Sequence, residues 1–132
     1  MELPHVWSTV FYVASSGRVP VREWLEEQNR EVQERVVALL QVLRDQAGRL
    51  GMPHAKHLRG RIWELRVQAG RAAYRILYAA VSKRRILVLH GFQKTTQETP
   101  PKELSLAEDR LADFLRRDVE VLKGRKGRRG GD

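Results

Sequence analysis

The chain has 132 residues, with 25 lysines and arginines against 16 aspartates and glutamates, a formal net charge of +9, and no cysteine. That length and a 42% hydrophobic content provide for one domain with one core, while the missing cysteine excludes disulfides, thiolate metal sites and a thiol nucleophile. No apolar run approaches the ~18 residues of a membrane span and Met1 to Val13 lacks the basic and apolar regions of a signal peptide, so a cytoplasmic protein that favours polyanions is expected.

Trp7 to Ala14 mixes aromatic, β-branched and small residues and predicts a strand, closed by Ser15-Ser16-Gly17. Pro20 suits the first turn of a helix, and Val21, Trp24 and Leu25 give that helix an apolar side. Asn29 is a break or cap before a second helix up to Leu50. Along it Val32, Val36, Leu39, Leu40, Leu43, Ala47 and Leu50 recur at spacings of three and four, and Gly51 with Pro53 ends it. His54, Lys56, His57, Arg59 and Arg61 then form a basic loop.

From Arg61 to Phe92 the period becomes two. Trp63, Leu65 and Val67 alternate with Glu64, Arg66 and Gln68; Tyr74, Ile76 and Tyr78 alternate on the next segment; Ile86 to Leu89 is a short apolar run. Turns at Gly70 and Ser82-Lys83-Arg84 make this a three-stranded antiparallel meander. After Pro100-Pro101, the stripe Leu104, Ala107, Leu111, Phe114 and Leu115 predicts a last helix. Residues 123–132 hold five cations, one aspartate and glycines, and read as a disordered basic tail. They carry +4 of the net charge, so residues 1–122, the folded domain, keep +5. The order is β-α-α-β-β-β-α in one α+β domain.

A hairpin centred on Gly70-Arg71 sets Arg66 directly opposite Arg75. Like charges opposed on a strand pair are destabilising and ask for an anion or a nearby carboxylate; Glu64, diagonal to Arg75, is the carboxylate at hand. One sheet face would carry Trp63, Leu65, Val67, Tyr74, Ile76, Tyr78, Leu87 and Leu89 and pack on the helices. The other would gather Arg66, Arg75 and His90 toward one end, beside Ile86, Val88 and Phe92, with Lys94 just beyond the strand.

These segments resemble a known family. Leu58 to Arg66 is similar to an L-x-G-x-x-W-E-L-R strand, Tyr74 to Tyr78 to a Y-R-x-x-Y strand, Leu89 to Pro100 to an L-H-G-F-x-K-K-T-x-K-T-P segment, and Ala107 with Arg110 to an A-x-x-R helix motif. Together they are similar to the RelE/ParE toxin superfamily in its HigB-like, phage-derived branch. The resemblance implies a RelE-like fold with a helical hairpin packed on an antiparallel sheet. It also implies a cognate antitoxin, of helix-turn-helix type for a HigB-like pair, and metal-independent cleavage of translated mRNA on the ribosome. ParE relatives poison DNA gyrase instead. Thr95 and Glu98 stand where the family segment often has lysine.

Metal-free RNA cleavage uses the 2′-OH as nucleophile and needs groups that orient it, neutralise the phosphate and protonate the leaving oxygen. Arginine suits the phosphate through its bidentate fork, and histidine suits proton transfer through its pKa. The candidate catalytic residues are Arg66 and Arg75 on the phosphate, with His90 or Lys94 for protons. Lys56, His57, Arg59, Arg61, Arg71 and Phe92 are RNA-binding candidates, Phe92 by stacking on a base. The bland readings are a structural histidine, a core phenylalanine and a solvated lysine. The spacing of His54 and His57 does not fit a helical zinc pair, and no cofactor or metal is expected. Three classes stay open: a ribosome-dependent endoribonuclease, a gyrase poison, and a degenerate toxin that only binds antitoxin and nucleic acid.

Overall fold

The computed structural model describes residues 6–51 and 53–131, and side chains as far as residue 118 in the last helix. Its elements are β1 (Ser8–Phe11), α1 (Pro20–Glu26), α2 (Arg30–Asp45), β2 (Ala55–Arg59), β3 (Ile62–Ala69), β4 (Ala72–Val81), β5 (Arg85–Gln93) and α3 (Pro101–Gly131). The separation of a basic tail at residue 123 falls on side chains outside the described ones.

Local sequence explains the helical hairpin. Pro20 begins α1, where its missing N–H costs no helical hydrogen bond. Asn29 caps α2 by accepting from the Val32 N–H at 3.0 Å. Val32, Val36, Leu40 and Leu43 form the buried stripe. The helix stops before Leu50, earlier than its apolar period suggests, because Ala47 and Gly48 take positive φ (55° and 75°) and the Gly48 N–H turns back to the Leu43 carbonyl at 2.9 Å. Leu50 still reaches the core, from the loop.

The sheet has five strands in the order β1-β5-β4-β3-β2. The segment read as a basic loop is strand β2, antiparallel to β3. β1 runs parallel to β5, so the sheet is mixed and not wholly antiparallel. A parallel partner lies far off along the chain, and the pattern of an isolated strand does not name it. The β3–β4 hairpin has the expected register, from Trp63 opposite Tyr78 through Arg66 opposite Arg75 to Ala69 opposite Ala72. Gly70 supplies the positive φ (61°) that its tight loop requires.

Both sheet faces are covered. The α1–α2 hairpin packs on one face, over Leu65, Val67, Tyr74, Ile76 and Tyr78. α3 packs on the other through Ala107 and Leu111, over Ile62, Leu77 and Ala79. An irregularity between β4 and β5 at Leu77/Tyr78 leaves Leu89 as an extra residue and reverses the facing of β5 beyond it. Ile86 and Val88 therefore join the α1–α2 side, and Leu87 and Leu89 the α3 side, the reverse of the strict alternation. Trp63 is corrected as well: it is more than one third exposed and lies against His57, with ring centroids 5.3 Å apart. Gly91 has no room for a side chain, since a Cβ there would come within 2.6 Å of the Trp24 ring.

Candidate functional site

The α3 face of the sheet is apolar under the helix and charged at the end where β3 and β4 run past it. Register builds the charged end in rows. Lys56 of β2, Glu64 of β3 and Leu77 of β4 lie side by side, and the next row holds Arg66, Arg75 and Phe92. Lys94 adjoins it, its N–H bound to the Ala73 carbonyl at 2.7 Å.

The opposed arginines are resolved by Glu64. Its Oε1 lies 3.2 Å from Arg75 Nε and its Oε2 3.7 Å from Arg66 Nε, and the Thr99 hydroxyl donates to Oε1 at 2.7 Å. The Arg75 guanidinium also donates to the Tyr74 carbonyl at 3.0 Å. Glu64 and Arg75 are both buried. Burial pulls the Arg75 pKa below its ordinary value, Glu64 opposes that shift, and Arg66 adds to it. The two arginines thus differ: the Arg75 side chain is 8% exposed and that of Arg66 28%. Lys94 and residues 96–99 enclose a small cleft over Glu64, Arg75 and Phe92. Arg75 sits behind the surface, and Arg66 reaches it.

His90 lies further under α3. Its Nε2 is 2.9 Å from Glu103 Oε2, and its Nδ1 is 3.4 Å from Arg110 Nη1, which also donates to the Leu89 carbonyl at 2.8 Å. The ring stacks on Phe92 with centroids 5.5 Å apart. Burial lowers the His90 pKa, Glu103 pushes it back up, and Arg110 lowers it further. Glu103 and Arg110 were not among the candidates; the only sequence signal for either was the arginine of the A-x-x-R helix motif. Phe92 packs against the α3-side core, which limits it as a free stacking surface.

The basic surface divides in two. Lys56, Arg61 and Arg71 are exposed and form no ion pair among the described residues. Arg59 is tied to Glu108 of α3 through Nε at 3.1 Å. His57 Nε2 lies 2.7 Å from the Gly60 carbonyl. Arg59 and His57 are thereby partnered within the fold, while the other three remain available to a polyanion. No group of three or more metal-ligating side chains comes together among the described residues, and none of their helices is long and apolar enough to cross a membrane.

A family model described as "Phage derived protein Gp49-like" matches residues 23–112. That match runs from α1 through the whole charged end of the sheet into α3. No curated protein matches the chain.

Proposed function

The chain belongs to the Gp49-like phage-derived family, which is associated with toxins of the RelE/HigB type, and from that premise we propose that it is the toxin of a toxin–antitoxin pair that cleaves translated mRNA on the ribosome. The observation that carries the nuclease reading is the half-buried Arg66, opposite the covered Arg75 and 3.7 Å from the Glu64 carboxylate, with Lys56 paired beside Glu64 and Lys94 lining the cleft over Arg75.

In this reading Arg66 binds the scissile phosphate through its guanidinium fork. Glu64 and Arg75 position it, because a buried pair fixes the geometry of whatever it holds. Lys56, Arg61 and Arg71 draw the RNA backbone to this end of the sheet. The 2′-hydroxyl attacks the phosphorus and gives up its proton to solvent, the bond to the 5′-oxygen breaks to leave a 2′,3′-cyclic phosphate, and the Lys94 ammonium protonates the departing 5′-oxygen. His90 positions Phe92 and the start of α3, since both its ring nitrogens already face partners. That same engagement of His90 favours one second reading, a toxin that binds antitoxin and nucleic acid without chemistry.

Expression without antitoxin, followed by mapping of mRNA 5′ ends, separates the two. The nuclease reading expects growth arrest with new ends inside translated codons, both lost in Arg66→Ala. Arg66 is the informative position because removing Arg75 would leave Glu64 buried and unpaired, and so confound activity with folding. Arrest with intact mRNA, or cleavage unchanged in a folded Arg66→Ala protein, would overturn the reading.

A further inference from the structure

A second surface lies on the other side of the molecule, at the free edge of β1. Its lining includes Thr9, Phe11, Val37 and Leu40, with Arg22 and Arg44 at the rim, and its volume is about 510 Å³. We propose that this groove binds an extended peptide segment of a partner protein, apolar at its centre and acidic at its ends. Given the toxin reading above, on which this identification of the partner rests, that partner is the antitoxin.

The backbone of β1 makes the first part of the case. The Ser8 N–H donates to the Arg84 carbonyl at 2.9 Å and the Tyr12 N–H to the Val88 carbonyl at 3.0 Å. In a parallel pair, alternate residues face the neighbouring strand. Thr9 and Phe11 therefore direct their main-chain groups away from β5, along an edge that borders no further strand among the described residues. An edge of that kind is a template for an added strand. Val13 is set apart from it, its carbonyl already accepting from Arg117.

The side chains make the second part. Thr9 and Phe11 pair with Ile86 and Val88, residues of the α1–α2 side, so the added strand would project alternate side chains under α2. Val37 and Val13, both lining the groove, are 45% and 43% exposed. These apolar surfaces are left uncovered by the fold's own core. Arg22 forms no ion pair among the described residues, and the only one of Arg44 is with its exposed neighbour Asp45 at 3.3 Å. Two cations lining an apolar groove fit a peptide that carries carboxylates beside an apolar stretch. A second copy of this chain, itself at +9, is disfavoured by its charge, and a nucleic acid finds no use for apolar walls.

The test uses the full chain and two nine-residue synthetic peptides with the same alternating valine–threonine centre, one flanked by glutamates and one by lysines. The acidic peptide is expected to shift the Thr9 and Phe11 amide resonances and to bind at least ~10-fold more tightly than the lysine version. Arg22→Glu combined with Arg44→Glu should reverse that preference. Val37→Asp should weaken binding ~10-fold while leaving the unfolding transition in place. Equal affinity for the two peptides, no binding, shifts confined to the Arg66 side, or a dimer of the chain closing the groove would each overturn the inference. Binding by a chain that causes no growth arrest would instead retain the groove and remove the toxin reading, so the two failures are distinct.

Discussion

The two faces of the sheet solve the problem of burial differently. Under α1 and α2 the fully covered interior is built from hydrocarbon, and among its buried described side chains the polar atoms are the hydroxyls of Tyr74 and Tyr78; that of Tyr78 has no hydrogen-bond partner, and burial pushes its pKa up to about 12. On its α3 side the same sheet carries the buried Glu64 and Arg75 at the end beyond the helix, and the His90, Glu103 and Arg110 group under it. Apolar burial alone stabilises the first face at roughly 25 cal/mol per Å². The second face keeps charges out of water, which is costly unless each is paired. A fold that needed only stability would have no reason to prefer the second solution, and the location of those charges is why the candidate site lies there.

Breaking one partner of the buried pair should have the largest effect. Glu64→Ala leaves Arg75 buried without its carboxylate and is expected to cost ~3–5 kcal/mol, read from the urea midpoint. Changing both together, Glu64→Gln with Arg75→Met, should recover most of that loss. If the double variant is as unstable as the single one, the pair does not act as a unit.

On the hydrocarbon face the counterpart is Leu43→Ala at a fully buried position. The cavity should cost ~2–5 kcal/mol. No second change on the α3 face should rescue it, because sites without shared partners add. Coupling between Leu43 and Glu64 would show that the two faces are not independent.

Arg66→Ala tests the same contrast at the surface. Arg66 is partly exposed and its contact with Glu64 is long, so stability should change by no more than ~1 kcal/mol. Growth arrest and mRNA cleavage, in contrast, should disappear.

The smallest effect concerns pH. Burial holds the His90 pKa below its ordinary 6.5, so the folded state favours the neutral ring. Its contribution is complete above pH 6.5 and is lost as pH falls through the folded-state pKa, because the unfolded chain then binds the proton more readily. Thermal unfolding should shift downward below pH 6.5 in the wild type, and His90→Gln should flatten that slope. An unchanged slope would mean that His90 binds its proton alike in the folded and unfolded chain, and a steeper one that protonation stabilises the His90–Glu103 pair, reversing the sign.

Much of this was legible locally. Asn29 announced the α2 cap, Gly70 the hairpin, and the register through Gly70-Arg71 placed Arg66 against Arg75 with Glu64 as the carboxylate that joins them. Each of those follows from neighbours in sequence: a cap is three residues long, and a two-residue loop fixes every pair behind it. Other features could not be read that way. That β1 lies beside β5, that Leu89 is an extra residue which turns β5 over, that residues 55–59 form a strand, and that Glu103 and Arg110 close on His90 all depend on chain segments far apart in sequence. One inserted residue reverses every side chain beyond it, and nothing local marks where the insertion falls. The sequence by itself determined which residues carry charge and which short elements they sit on. Only the tertiary structure decided that Arg75 is covered while Arg66 is reachable, because burial belongs to the packing of Lys94 and residues 96–99 over the sheet and not to the strand that carries the arginines.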